Sequence, residues 1–149
     1  MSKIVEIALK EEGYTETPKN TNKTKYGKWF GFDGVAWCGM FVSWCYDQAG
    51  QRLPNIGFSK GFAGCQTAVA WAKKNKKIVS DPQPGDIVFF DWTGDGRYDH
   101  TGIFMSWGVV PNTFETIEGN TSLTNQSNGG QVMHRRRAFH KTKTLFVRI

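Results

Sequence analysis

Hydrophobic positions along the chain follow a helical period in the first half and an extended pattern in the second half. The clearest helical segment starts at residue 38, where positions 38, 41, 42, 45 and 49 share one helix face. Gly50 suits the position just past the end of this helix. The pattern therefore predicts a helix whose first turn carries Cys38, where unpaired backbone N–H groups and the helix dipole favour a thiolate. An alternative interpretation is that Cys38 simply opens an apolar stripe.

The pattern predicts two further helices. Ser2 is a suitable N-cap for a first helix that runs through Glu12 and ends at Gly13. Another helix starts at Cys65 and ends near residue 75, with positions 65, 68, 69 and 72 on its apolar face. Residues 14–35 are expected to be irregular, and aromatic residues are frequent in this stretch from position 26. We expect this loop either to form one wall of the site beside Cys38 or to pack on the core.

From position 82 onwards the pattern is typical of β-strands. Pro84-Gly85-Asp86 predicts a turn, and the apolar run over residues 87–90 predicts a buried strand. Further strands are predicted over residues 100–108, 114–120, 131–137 and 145–149. Helices in the first half and strands in the second half favour an α+β fold, with the helices packed on an antiparallel sheet of about five strands. We expect a single domain over residues 1–149.

Composition and charge narrow the function classes. A chain of 149 residues that is 39% hydrophobic and 14% aromatic is neither disordered nor fibrous. The apolar run over residues 4–9 is interrupted by Glu6 and is too short for a signal peptide or a membrane span, so we expect a soluble chain made in a cytoplasm. The net charge of +6 predicts affinity for polyanions, and it leaves nucleic acid, anionic lipid and acidic wall polymers open as partners.

The cysteines are expected to be reduced thiols. They form no CxxC pair, and Cys38 and Cys45 would lie roughly 10 Å apart on one helix, which is beyond disulfide reach. A zinc site is not expected either, because the cysteines are scattered and His134 and His140 show no ligand spacing.

Polar residues on two of the predicted strands suggest a partner for the thiol. Glu118 and Asn120 are two residues apart, so strand alternation places both on one face. If the strand that begins at His100 pairs with theirs, His100 lies near Glu118. A cysteine at a helix start, a histidine and a carboxylate form an activated thiol nucleophile. Backbone N–H groups at the start of the Cys38 helix are suited to an oxyanion hole.

Several motifs, taken in order, resemble a known family. They are Ala36-Trp37-Cys38, Phe41-Val42-Ser43-Trp44, Pro84-Gly85-Asp86-Ile87-Val88-Phe89-Phe90, Asp99-His100-Thr101-Gly102-Ile103 and Ile117-Glu118-Gly119-Asn120-Thr121. The set is similar to the CHAP family, the cysteine, histidine-dependent amidohydrolases and peptidases of phage endolysins and bacterial autolysins. The resemblance implies a papain-like fold of the NlpC/P60 type and hydrolysis of peptidoglycan amides without a required cofactor. It makes Cys38 the nucleophile, His100 the base, Glu118 the orienting acid and Asn120 a further polar member.

The resemblance also implies partners and a place of action. We expect the chain to bind bacterial peptidoglycan and its anionic polymers, not nucleic acid, and to act as a monomer. It would be made in a bacterial host cytoplasm and act on the wall after release, as a phage endolysin does. No wall-binding domain is expected in residues 1–149, so either the basic surface replaces one or the chain is an excised catalytic module.

The sequence does not determine which amide bond is cut. The bond is either an amide within the stem peptide or cross-bridge, or the N-acetylmuramoyl-L-alanine amide. The open cleft of a papain-like fold favours the first, an endopeptidase.

The segment from Asp91 to Asp99 has a pattern close to that of a calcium-binding loop. Oxygen-bearing residues occupy positions 1, 3, 5 and 9 and a glycine occupies position 6, but Gly102 stands where the bidentate glutamate belongs. We expect a simple hairpin loop and keep bound calcium as the alternative.

Two other readings of the whole chain remain. The same fold is suited to acting on a protein amide, as a deamidase or toxin. A non-catalytic module that binds the wall is the other, and Trp37, Trp92 and Trp107 would line its groove if they are not core residues.

Overall fold

The computed structural model describes residues 2–149 and contains four helices and a six-stranded antiparallel sheet. The helices are α1 (Lys3–Lys10), α2 (Lys25–Phe30), α3 (Cys38–Gln48) and α4 (Cys65–Lys74). The strands are β1 (Ile78–Val79), β2 (Ile87–Phe90), β3 (His100–Trp107), β4 (Thr113–Thr121), β5 (Gln131–Ala138) and β6 (Thr144–Val147). The α+β fold expected from the sequence is confirmed. None of the helices in residues 2–149 has the length and apolar character needed to cross a bilayer.

The sheet has the strand order β1-β6-β2-β3-β4-β5, and both of its faces are covered. Ile87 and Phe89 of β2 pack in the cluster that contains the helices, whereas Val88 and Phe90 pack in a second, largely aromatic cluster. Because neighbouring side chains on a strand point to opposite faces, the two clusters cover opposite faces of the sheet. Burial on both faces explains why β2 is a continuous apolar run.

Helix α3 is the central helix of the fold. It packs on β3 and β4 and is also contacted by α1 and α2. Residues 38–43 are all buried, so the helix is enclosed on more sides than the single apolar stripe predicted. The predicted start at Cys38 is confirmed, and the helix ends at Gln48, shortly before Gly50.

Helix α1 agrees with prediction at its start and is shorter at its end. The side chain of Ser2 accepts a hydrogen bond from the Val5 backbone N–H, as expected of an N-cap. The helix ends at Lys10 instead of Glu12, because residues 11–13 form a turn from which the Gly13 N–H donates to the Val132 carbonyl of β5.

Two short elements were not predicted. Helix α2 lies within residues 14–35, which were expected to be irregular. Thr24 caps its start and Gly31, with a φ of 95°, ends it. Strand β1 has only two residues and pairs with β6 at the edge of the sheet, which makes six strands instead of five. Elements this short carry too few residues to show a period.

The antiparallel pairing brings three strand ends together. His100 begins β3, Thr121 ends β4 and Gln131 begins β5, so all three lie at one end of the sheet. The start of α3 lies at the same end, because Cys38 is near His100 and the backbone N–H of Thr101. This end of the sheet holds the candidate site.

Candidate active site

Cys38 lies at the first residue of α3 and is 7% exposed. No side chain caps the start of this helix, so the N–H groups of its first turn are left to interact with negative charge at the thiol. A Cβ atom at Gly39 would lie 2.5 Å from the carbonyl oxygen of Ala63. Glycine at this position therefore allows the segment that precedes α4 to pack directly against the start of α3.

The thiol of Cys38 is in contact with two other elements. The groups near it that act on its pKa are the thiol of Cys65 at the start of α4, the ring of His100 and the backbone N–H of Thr101. The contact with Cys65 has the largest effect. Together these contacts outweigh burial and hold the pKa of Cys38 well below its ordinary value.

Cys65 was not expected beside Cys38. Its nearness to the Cys38 thiol, together with burial, raises the pKa of Cys65 well above the ordinary value, so it remains a thiol. Gln66 fixes the start of α4 in place, because its side chain exchanges two hydrogen bonds with the backbone of Tyr98. The only sign in the sequence is that Cys65, like Cys38, opens a helix.

His100 is fully buried and bonded through one ring nitrogen. Its Nε2 atom lies 3.0 Å from Oε1 of Glu118. The other nitrogen, Nδ1, is buried and has no hydrogen-bond partner within residues 2–149, so it is the ring atom available to the thiol of Cys38. Burial alone would lower the pKa of His100, but the thiol of Cys38 and the carboxylate of Glu118 raise it to about 9.

Glu118 is also fully buried, and donors surround its carboxylate. Oε1 accepts hydrogen bonds from His100 and Arg137, and Oε2 accepts from Arg137 and from the hydroxyl of Thr116 at 2.6 Å. Burial would raise the pKa of Glu118, but hydrogen bonds from Arg137 and His100 lower it to about 2. Glu118 is therefore ionised near neutral pH, where His100 is protonated.

Arg137 of β5 was expected to be a basic surface residue, and the structure instead places it against Glu118. Its guanidinium contacts both carboxylate oxygens of Glu118. Arg137 pairs with Phe114 across the β4–β5 ladder, four residues before Glu118. Such a diagonal contact between strands needs the register to be known, and the sequence does not supply the register.

Asn120 makes its side-chain hydrogen bonds with residues other than His100 and Glu118. The register between β4 and β5 shifts between Glu118 and Thr121, and Asn120 has a φ of 59°. Its side chain donates to Asn128 and accepts from the Gly130 N–H. A β-bulge in this segment disturbs the period of two, and the shared face of Glu118 and Asn120 stays a prediction. Asn120 ties the ends of the β4–β5 loop together.

The Asp91 to Asp99 segment forms the β2–β3 loop. Asp91 accepts hydrogen bonds from the backbone N–H groups of Gly94 and Gly96, and Asp99 accepts from the Trp92 N–H. Within residues 2–149 no three His, Cys, Asp or Glu side chains are grouped so that they could hold a metal ion. These carboxylates shape the loop, which places Trp92 against His100 with ring centroids 5.6 Å apart.

The other two tryptophans of the predicted groove, and the basic residues of the predicted surface, differ in how far they are exposed. Trp37 is fully buried in the core, and Trp107 is partly exposed at the far end of β3. The basic residues expected from the sequence to form a wall-binding surface are Lys73, Lys74, Lys76, Lys77, Arg135, Arg136 and Arg137. The three arginines bond to other residues of the chain, and Arg136 stays exposed where it pairs with Glu115. Arg137 is buried against Glu118, and Arg135 donates to Thr121, Ser122 and Gln126. Lys73, Lys74 and Lys76 are exposed at the end of α4.

Cys38, His100 and Glu118 thus form a continuous line of contacts. A thiol with a lowered pKa, an imidazole and a carboxylate in this order have the geometry of an activated nucleophile for acyl transfer. The CHAP domain family model matches residues 29–120, which is more than half of the chain and includes all three residues. A search of curated proteins finds no match to the chain.

Proposed function

The chain belongs to the CHAP domain family, and from this premise we propose that it hydrolyses an amide bond of bacterial peptidoglycan with Cys38 as the nucleophile. The family match points to amidohydrolase or peptidase activity on a peptidoglycan-related substrate. The observation that carries the proposal is the line of contacts from the Cys38 thiol through His100 to Glu118.

In this proposal each residue of the line has a role that its contacts support. The thiolate of Cys38 attacks the amide carbon, and the carbonyl oxygen becomes an oxyanion. The uncapped N–H groups in the first turn of α3 stabilise that charge. Nδ1 of His100 then gives its proton to the leaving nitrogen, so that an amine departs and a thioester remains on Cys38. A water molecule, which loses its proton to the same nitrogen, then attacks the thioester, so that the carboxylic acid is released and the thiolate of Cys38 and the protonated His100 are restored.

Glu118 acts through His100. By accepting the Nε2–H it fixes the ring so that Nδ1 faces Cys38, and its negative charge stabilises the imidazolium. Asn120, which bonds within the β4–β5 loop, supports this end of β4 without touching the reacting groups.

We further propose that the enzyme is an endopeptidase of the stem peptide or cross-bridge, as in a phage endolysin that acts on the wall after release. The nucleophile lies where the starts of α3 and α4 meet the first residues of β3. A junction of this kind suits an extended peptide that passes across it. The amidase alternative uses the same chemistry, because both bonds pass through a tetrahedral oxyanion.

The test is digestion of purified sacculi, followed by mass spectrometry and labelling of newly exposed amines. New amines on internal stem or cross-bridge residues are expected for the wild type. New N-terminal L-alanine beside intact glycan would instead identify an amidase. Cys38→Ala should abolish the products, whereas Cys45→Ser, on the same helix, should retain them. Unchanged lysis by Cys38→Ala would indicate a non-catalytic wall-binding module, and activity on proteins but not on sacculi would indicate a deamidase.

A further inference from the structure

The guanidinium of Arg137 is bound to Glu118 by two hydrogen bonds. Nε donates to Oε2 at 2.9 Å and Nη2 donates to Oε1 at 2.5 Å. The Arg137 side chain is 9% exposed and that of Glu118 is 0% exposed. A forked contact of this kind fixes the plane of a carboxylate as well as its position.

The same aromatic residues hold Arg137 and His100. The guanidinium carbon lies 4.9 Å from the ring centre of Trp92 and 5.4 Å from that of Phe90. The His100 ring stacks on both, at 5.6 Å from Trp92 and 6.1 Å from Phe90, with 23° between the planes in each case. Glu118 therefore lies between an imidazole and a guanidinium that share one aromatic support.

Oε1 of Glu118 is the atom shared by the two contacts. It accepts from His100 and from Arg137, so the position of the carboxylate relative to His100 depends on Arg137. Without Arg137, the fully buried carboxylate would keep only His100 and Thr116 as donors. A buried carboxylate that loses its charged partner is free to turn or to take up a proton.

We propose that Arg137 is the positioning residue of the site and holds Glu118 ionised and oriented, so that Nδ1 of His100 faces Cys38. This role rests on the proposed function where turnover is concerned. It is separable from that function, because the state of the Cys38 thiol is measurable without any wall substrate.

Removing Arg137 has two possible effects, and they change the pH at which the Cys38 thiolate forms in opposite directions. The direction of the change therefore distinguishes the two roles. If Arg137 holds Glu118, its loss weakens the support of the imidazolium, and the thiolate of Cys38 then appears at a higher pH. If Arg137 acts only as a positive charge near His100, its loss removes a repulsion, and the thiolate appears at a lower pH. The titratable and charged groups on the surrounding elements that enter this balance are Cys65, Asp99, His100, Glu118, Arg135 and Arg137.

The experiment compares the wild type with Arg137→Gln, Arg137→Lys and the control Arg136→Gln. Arg136 is the neighbouring residue, and its side chain is 60% exposed and pairs with Glu115 instead of Glu118. Iodoacetamide alkylation of Cys38 is followed by peptide mass spectrometry as a function of pH, and kcat and KM are measured on a soluble stem peptide. Circular dichroism shows that each variant is folded.

Arg137→Gln should move the alkylation midpoint to higher pH and lower kcat by about 10- to 100-fold with little change in KM, the range typical of residues that orient a reacting group through a hydrogen bond. Arg137→Lys keeps the charge without the fork and should retain part of both properties. Arg136→Gln should behave as the wild type does.

An unmoved or lowered midpoint in a folded Arg137→Gln variant overturns the positioning role. If that variant does not fold, Arg137→Lys decides, because full kcat and an unmoved midpoint in it overturn the role equally. If the wild type cleaves no wall peptide but the midpoint moves upwards in Arg137→Gln, the proposed function fails and the role of Arg137 stands.

Discussion

Gly102 and Glu118 lie side by side on β3 and β4, and a Cβ atom at position 102 would be only 2.5 Å from Cγ of Glu118. Glycine at position 102 leaves the space through which the Glu118 side chain reaches His100. His100 lies two residues before Gly102 on β3. The Asp99-His100-Thr101-Gly102 motif thus contains the histidine and the gap that admits its carboxylate.

We predict that Gly102→Ala lowers kcat strongly, because the added methyl group displaces Glu118 from His100. The clash should also destabilise the protein by about 1–3 kcal/mol, as overpacking usually does. Urea unfolding and steady-state kinetics on a soluble stem peptide measure the two effects.

Gly108→Ala is the matched control for Gly102→Ala. A Cβ atom there would meet Oγ1 of Thr113, but at the opposite end of the β3–β4 hairpin. It should lower stability and leave kcat unchanged. Equal kcat in the two folded variants would show that Gly102 has only a structural role.

The pH dependence of activity follows from the thiolate and imidazolium pair. The pKa of Cys38 is lowered and that of His100 is raised to about 9, so both groups are charged between these two values. Activity should rise with pH as Cys38 ionises, well below the ordinary thiol range, and should fall as His100 loses its proton near pH 9. The groups that contact the pair are Cys65, Glu118 and, through Glu118, Arg137.

Glu118→Gln provides the check on this profile. The amide cannot supply the negative charge that helps to raise the pKa of His100, so the alkaline limb should move to lower pH. A wild-type alkaline limb near the ordinary histidine value would contradict the ion pair, and an unmoved limb in Glu118→Gln would remove Glu118 from it.

Much of this arrangement is predictable from the sequence, because it depends on local pattern. The helix start at Cys38 follows from apolar spacing and the buried strand over residues 87–90 from a continuous apolar run. The nearness of His100 and Glu118 follows from antiparallel pairing of adjacent strands. Each of these inferences uses residues that are close in sequence.

The rest depends on contacts that no local pattern reveals. The partners of Asn120 lie in the β4–β5 loop, where a β-bulge disturbs the alternation of β4. Arg137 was expected to be a surface cation, because its burial against Glu118 can be predicted only when the register of β5 is known. Cys65 was expected to be an ordinary helix residue, and its nearness to Cys38 depends on how the start of α4 is placed beside the start of α3. Register and helix packing are set by tertiary structure.

Exposed lysines at the end of α4 support a prediction about salt. Lys73, Lys74 and Lys76 are exposed, and charges of this kind are screened beyond roughly 8 Å near physiological salt. Lysis of cells should therefore fall as salt rises, whereas cleavage of a short soluble stem peptide should change little. Turbidity loss and peptide cleavage, measured over the same salt series, test this.

The lysines have a charge-preserving control. Replacing all three with glutamine should weaken lysis and flatten its salt dependence, and replacing them with arginine should preserve both. Equal salt sensitivity on cells and on the soluble peptide would contradict a targeting role for this surface.

The last prediction concerns Cys65, whose thiol is the largest influence on the lowered pKa of Cys38. Cys65→Ala removes this thiol, so the pKa of Cys38 should rise and alkylation of Cys38 should begin at higher pH. Cys65→Ser keeps a hydroxyl donor and should retain most of the activity. Cys45→Ala is the control, because Cys45 is fully buried two turns further along α3 and should leave Cys38 unaffected. If Cys65→Ala and Cys65→Ser both alkylate at Cys38 as the wild type does, the thiolate is maintained without Cys65, and His100 with the start of α3 is sufficient.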